Sequence, residues 1–212
     1  MTNTDYVVIV TFISSSLSTI GCLMMIMYYI YFPKERAAAH LFCLWLGISG
    51  LGLASTTFVI VDDVDNGDFL CVLFPVIEDY FILCTSFTAV VIANRVKKIV
   101  FQYEGCMSMS DSQLKTYFIC VWVLPLILVL LPLTTGSYGR NDKDQYCFLK
   151  YDRDGQHQAN VVAKLWILFT FYGPVSLSVG TIVVIYSQCV RQIKFLQVQH
   201  SKSTSPQFPV NC

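Results

Sequence analysis

The chain has 212 residues, of which 55% are hydrophobic and only 13% are charged, and its mean hydropathy is +0.57. A soluble domain is about 25% charged, so a chain this poor in charge could not cover a globule with polar surface, and lipid is the expected solvent. Its 14 basic and 14 acidic residues balance, which argues against a basic face for nucleic acid.

Five mostly apolar segments follow one another along the chain, each close to or above the roughly 20 residues that a helix needs to cross a bilayer. They cover residues 6–32, 40–61, 69–101, 114–135 and 159–190. Core helices of a soluble protein could explain one such segment but hardly five, and the segments are too long and lack the alternation of barrel strands. The sequence therefore predicts an all-α membrane protein with a five-helix transmembrane bundle.

The connectors predict the orientation of this bundle. Lysine and arginine are more frequent in the connectors after the first, third and fifth segments than in the other two. By the positive-inside rule the N-terminus then lies outside and the C-terminus in the cytosol, as in a multi-pass protein of the plasma membrane. We expect one membrane domain over residues 1–195 and a disordered cytosolic tail over residues 196–212, which are polar and contain Ser and Pro.

Two cysteines fall on the predicted outer face, where thiols oxidise. Cys71 begins the third segment, and Cys147 lies midway along the connector between the fourth and fifth. We expect a disulfide between them, which would fasten this connector to the third helix; two free thiols are the alternative.

Glu78 and Asp79 are adjacent carboxylates within the third segment, which is otherwise almost free of charge up to its basic end. A lone ionised carboxylate at mid-membrane costs about 2.5–3.5 kcal/mol on insertion scales. Neighbouring helical residues point about 100° apart, so at least one of the two is expected to face a wet cavity. The alternatives are an internal partner, such as Lys164 near the start of the fifth segment, or a protonated acid bonded to a neighbouring helix.

Other kinds of site find no support in the sequence. The three histidines are scattered and none has metal-ligand spacing to Cys, Asp or Glu, so we expect no metal and no cofactor. The chain also lacks a catalytic cluster, so we do not expect an enzyme. Ser49, Gly50, Gly52 and Ala54 are small residues of the second segment that favour close helix packing.

Cys71, Cys147 and Arg95 together resemble the pattern of seven-helix G-protein-coupled receptors. These receptors bridge a cysteine at the outer start of the third helix to one in the second outer loop, and place an arginine at the inner end of that helix. The interval from Cys71 to Arg95 spans roughly 36 Å of helix, about one membrane crossing. The segment LFTFYGP (168–174) and the residues around Cys147 further resemble the cyclic AMP receptor-like group.

The resemblance implies a receptor that senses an extracellular ligand and signals to a heterotrimeric G protein. Glu78, Asp79 and Lys164 are then the candidate ligand-binding residues, although an anionic ligand such as cyclic AMP would sit badly beside two carboxylates. The implied cytosolic face contains four basic residues, namely Arg95, Lys97, Lys98 and Arg191. Cations that follow the positive-inside rule and contact membrane lipid are the alternative interpretation of these four.

The chain departs from this family after Arg191, where no sixth or seventh apolar segment follows. We therefore expect a truncated product or a fragment, or a shortened form that pairs with a full-length receptor. A five-helix transporter or scaffold unrelated to receptors is the alternative, although the internal repeats typical of transporters are not evident.

Overall fold

A computed structural model gives the fold of the chain and describes residues 3–32, 38–60, 67–102, 110–140, 147–149 and 161–202. Three helices come first: α1 (Asn3–Tyr31), α2 (Ala38–Ile60) and α3 (Gly67–Gln102). The fourth, α4 (Asp111–Thr134), contains a π-helical stretch at Ile119–Val123. The fifth, α5, joins Val161–Trp166, a π-helical stretch Ile167–Tyr172, and Gly173–Lys202.

The described helices agree with the predicted all-α bundle. Four stretches are long and apolar enough to cross a membrane: Ile9–Tyr31, Phe69–Phe101, Asp111–Thr134 and Lys164–Val198. The apolar part of α2, His40–Thr56, is shorter. The C-terminal end of the bundle differs from the expected boundary, because α5 continues to Lys202 and residues 196–202 are helical. Residues 203–212 of the predicted tail lie outside the described residues.

A two-stranded hairpin follows α4. Its strands are β1 (Tyr138–Arg140) and β2 (Cys147–Leu149), which pair antiparallel with Tyr138 opposite Leu149 and Arg140 opposite Cys147. Both strands lie against α3. We call the end of the bundle that carries these strands the hairpin end. The end formed by the last turns of α3 and α5, near Gln102 and Lys202, is called the basic end.

α3 is the central helix of the bundle, because it packs against α2, α4, α5 and the hairpin. Leu83, Cys84 and Ala93 of α3 are completely buried. Large apolar side chains on the outer helices are instead exposed, as with Leu17 of α1 and Leu177 of α5. Exposed apolar faces around a buried central helix are the arrangement expected where lipid surrounds the protein.

Small residues allow the first three helices to approach closely. A Cβ atom at Gly50 would lie 2.7 Å from the Cys22 sulfur of α1, and one at Gly52 would overlap the Phe81 ring of α3. A hydrogen bond of 3.1 Å from Thr85 Oγ1 to Ser49 Oγ adds a polar link between α3 and α2. The packing role expected for the small residues of α2 is therefore present in the fold.

Proline accompanies both π-helical stretches. Pro125 follows the stretch in α4, and Pro174 follows the stretch in α5. Proline has no N–H, and its ring clashes with the carbonyl four residues earlier, so a locally wider helix accommodates it. The Tyr80 hydroxyl of α3 donates a 3.3 Å hydrogen bond to the Trp122 carbonyl within the first stretch. The widened turn thus also holds α4 against α3.

Candidate functional site

The hairpin enters the bundle through a sharp turn at the end of α4. Gly136 adopts a left-handed conformation, with φ of 61°. Its N–H donates to the Leu133 carbonyl at 3.1 Å, and the N–H of Ser137 donates to the Pro132 carbonyl at 3.2 Å. This pair of bonds is a Schellman motif, which ends a helix and reverses the chain. Tyr138, two residues after Gly136, is thereby directed to α3.

Tyr138 and Asp79 form a buried hydrogen bond at the hairpin end. The Tyr138 hydroxyl donates to Asp79 Oδ2 at 3.1 Å. Asp79 is 2% exposed and Tyr138 is 3% exposed. The other carboxylate oxygen, Oδ1, is buried and has no hydrogen-bond partner among the described residues. The site therefore holds one acceptor that is satisfied by the hairpin and one that is open to a further donor.

The chemistry of Tyr138 matches its role as the donor. Burial, followed by the charge of Asp79, raises the pKa of the Tyr138 phenol above its ordinary value. The phenol therefore remains protonated at physiological pH and keeps a hydrogen to donate. Tyr138 was not among the residues singled out in the sequence, where the turn-like TTGSY (134–138) after the fourth segment was the available signal.

The structure gives the three residues predicted to bind a ligand different environments. Asp79 is buried against Tyr138, whereas Glu78 is half-buried at the preceding position of the helix. Lys164 is an exposed residue of α5. Because Tyr138 bonds one Asp79 oxygen and the other has no partner in the described part of the chain, Lys164 is not the internal partner of Asp79. That partner comes from the hairpin instead.

The cysteines near the hairpin end are described in part. The free cysteines within the described ranges are Cys22, Cys43, Cys84, Cys120 and Cys189. Cys71, near the start of α3, is not among them. Cys147 begins β2, a strand that lies against α3, and its side chain lies outside what the structure describes.

The basic end brings together some of the predicted cytosolic residues. Lys97 and Arg191 line a cavity of about 520 Å³ between α3 and α5, whereas Arg95 and Lys98 are not part of its lining. The two helices meet beside it through the buried residues Ala93, Ile185 and Cys189. Within the described ranges, no group of His, Cys, Asp or Glu is arranged to hold a metal ion.

Comparisons with known proteins identify the architecture. The family model described as 7 transmembrane receptor (rhodopsin family) matches residues 21–207. The crystal structure of squid rhodopsin is similar, with a TM-score of 0.65 at 17% sequence identity, covering 89% of this chain and 54% of that chain. The present chain thus spans about half the length of squid rhodopsin. No curated protein matches the sequence.

The family match decides between the interpretations left open by the sequence. It removes the transporter or scaffold unrelated to receptors, since the matched residues cover most of the chain. The cyclic AMP receptor-like subgroup is not confirmed, because the matching model describes the rhodopsin family as a whole. The chain is a multi-pass membrane protein that belongs to the seven-transmembrane receptors of the rhodopsin family.

Proposed function

We propose that this protein is a receptor that senses an extracellular ligand at the hairpin end and signals to a cytosolic G protein from the basic end. The observation that carries the proposal is the buried bond between Tyr138 and Asp79. It joins the connector that an arriving ligand would meet to the central helix, which packs against α2, α4 and α5. Movement of the hairpin would therefore shift α3, the helix that reaches the basic end.

The Asp79 oxygen that has no hydrogen-bond partner among the described residues indicates the chemistry of the ligand. A buried acceptor without a donor costs about 1–3 kcal/mol, and a ligand that supplies the donor recovers this energy. Glu78 adds a second, half-buried carboxylate beside it. Two acidic groups favour a basic ligand, such as an amine, over an anionic one. Lys164, exposed on α5, is the one of the three candidates that would suit an acidic ligand group instead.

A ligand cannot reach Asp79 without displacing part of its cover, since the residue is only 2% exposed. The ligand would therefore bind an arrangement in which Tyr138 has moved, and it would shift the equilibrium by its higher affinity for that arrangement.

A disulfide between Cys71 and Cys147 is part of the proposal. It is supported by the position of Cys147 at the start of β2, which lies against α3, and by the absence of Cys71 from the free thiols. Since disulfides form in oxidising compartments, the bond would place the hairpin end outside the cell, in the plasma membrane. The N-terminus would then be outside and the C-terminus cytosolic, in agreement with the basic connectors.

The basic end would contact the G protein through Arg95, Lys97, Lys98 and Arg191. The chain spans 54% of the squid rhodopsin chain, and it would reach the G protein either by itself or in association with a full-length receptor. Membership of the cyclic AMP receptor-like group is supported by the sequence of segment 168–174 and of the residues around Cys147.

Nucleotide exchange on a purified heterotrimeric G protein tests the proposal. The full chain in lipid nanodiscs would be mixed with the G protein and a panel of small aromatic amines, with wild type compared to Asp79→Asn. Thr88→Val is a matched control, because Thr88 is buried in the same helix and its hydroxyl donates to the Cys84 carbonyl of that helix at 2.7 Å. We expect amine-stimulated exchange in wild type and Thr88→Val and its loss in Asp79→Asn. Stimulation that survives in Asp79→Asn, or none in wild type, would reject the assignment.

A further inference from the structure

A cleft opens between α3 and α5 at the basic end. The two helices touch through Ala93, Ile185 and Cys189 and then leave a cavity of about 520 Å³. The cavity is lined by six residues, namely Lys97, Phe101, Gln188, Arg191, Gln192 and Phe195. This space is an open groove and not an enclosed pocket, so a partner would lie along it with one side uncovered.

The lining of this cleft is cationic and has no acidic residue. Lys97 and Arg191 contribute one positive charge each, from opposite walls. The sequences of α3 after Asp79 and of α5 hold no acid, and Glu104, just beyond α3, lies outside the described residues. The two like charges therefore lack a counterion in the described part of the cleft, and an anion between them would offset their repulsion.

The same cleft also presents apolar surface near the ends of the two membrane helices. The stretch of α3 that is apolar enough to cross a membrane ends at Phe101, and that of α5 ends at Val198. Phe101 is 39% exposed and Phe195 is 56% exposed. A partner that matches this cleft carries a negative charge that pairs with the cations and hydrocarbon that packs on the aromatic rings. It reaches the cleft from the membrane.

We propose that this cleft binds an anionic phospholipid through its headgroup phosphate. Lys97 and Arg191 hold the phosphate oxygens, since guanidinium and ammonium groups form strong charge-assisted bonds with phosphate. The amides of Gln188 and Gln192 donate to the remaining oxygens, and Phe101 and Phe195 contact the acyl chains. Basic pockets between transmembrane helices are known to take phosphorylated headgroups. The proposal depends neither on G-protein signalling nor on which end of the bundle faces the cytosol.

Lipid adducts counted by native mass spectrometry test the assignment. The full chain would be reconstituted in phosphatidylcholine nanodiscs with and without a small fraction of phosphatidylinositol bisphosphate, and then released for analysis. Because a nanodisc presents the lipid on both faces, the result does not depend on orientation. Wild type would be compared with K97Q/R191Q and with K98Q/K194Q, a control that removes the same charge from the same helix ends but leaves the lining intact.

We expect the affinity for the anionic lipid to fall about tenfold in K97Q/R191Q and to change less than about twofold in K98Q/K194Q. Equal losses in both variants would mean diffuse attraction to the surface and would overturn the site, as would no loss in either. Thermal unfolding in pure phosphatidylcholine checks that both variants fold. Soluble inositol trisphosphate separates the two sources of phosphate: binding as tight as that of the lipid would overturn the lipid assignment, and much weaker binding supports it.

Discussion

The Tyr138 hydroxyl donates a 3.1 Å hydrogen bond to Asp79 Oδ2, which joins the first strand of the hairpin to the central helix. Both residues are almost fully buried, so water cannot replace either partner without opening the bundle. The bond provides a donor for one of the two oxygens of an acid that is costly within a membrane helix. It also fixes the position of the hairpin relative to α3.

Replacing Tyr138 with Phe should destabilise the protein by about 1–3 kcal/mol, because the change leaves a second oxygen of a buried carboxyl without a donor. Thermal unfolding of the detergent-solubilised chain measures the effect. Tyr172→Phe is the matched control, since Tyr172 is 58% exposed on α5. Equal stability of the two variants would show that the Tyr138 bond contributes nothing.

Replacing Gly136 with Ala should cost about 1–2 kcal/mol, because an alanine is strained at a φ of 61°. A Cβ atom at Gly136 would meet no atom of the described residues within 4 Å, so we expect the cost to come from the backbone conformation. Gly136→Asn should recover part of the stability, since asparagine tolerates the left-handed region better. An alanine variant as stable as wild type would argue against the Schellman turn as the device that positions Tyr138.

Replacing Gly52 with Val should destabilise the contact between α2 and α3 by about 1–3 kcal/mol, because the added side chain overlaps the Phe81 ring. Shortening Phe81 to Leu in the same chain should restore part of the loss. Gly180→Val, at a position where a Cβ has open space, is the control. The unfolding midpoints of the three variants show whether the overlap with Phe81 causes the loss of stability. An equal loss of stability at both glycines would point to helix propensity instead of packing.

Replacing Cys71 with Ser should expose a new thiol at Cys147, if the two form the proposed disulfide. A membrane-impermeant maleimide on intact cells would then label the Cys71→Ser variant and leave wild type unlabelled at the hairpin end. Cys43→Ser provides a control, because Cys43 is a free cysteine of α2. Unchanged labelling in Cys71→Ser speaks against the bridge.

The helices were predictable because crossing a membrane is a local property of about 20 consecutive residues. The run of apolar residues in 69–101 contains nearly all the information needed to place α3. The end of α5 was harder to predict, since the residues after Phe195 are mostly polar and still continue the helix to Lys202. The hairpin was not predicted, because its strands are only three residues each.

Of the two residues that form the candidate site, only Asp79 could be predicted from the sequence. Burying an acid in an apolar helix costs free energy, so such an acid is expected to have a partner. Asp79 was identified on that ground. The identity of the partner depends on how the chain turns at Gly136, and Tyr138 is far from Asp79 in sequence, so spacing could not reveal it. Lys164 was the natural electrostatic expectation, and the fold leaves it exposed on α5.

A double-mutant cycle between Tyr138→Phe and Asp79→Ala tests most directly whether the hairpin is coupled to the central helix, because alanine keeps no oxygen that could accept from the Tyr138 hydroxyl. The free energies of unfolding of wild type, both single variants and the double variant would be compared in one lipid mixture. If the two side chains act as one unit, the double variant should lose less than the sum of the single losses, with a coupling energy of about 1 kcal/mol or more. Losses that simply add would contradict a bond between the hairpin and α3, and with it the proposed route from the ligand to the basic end.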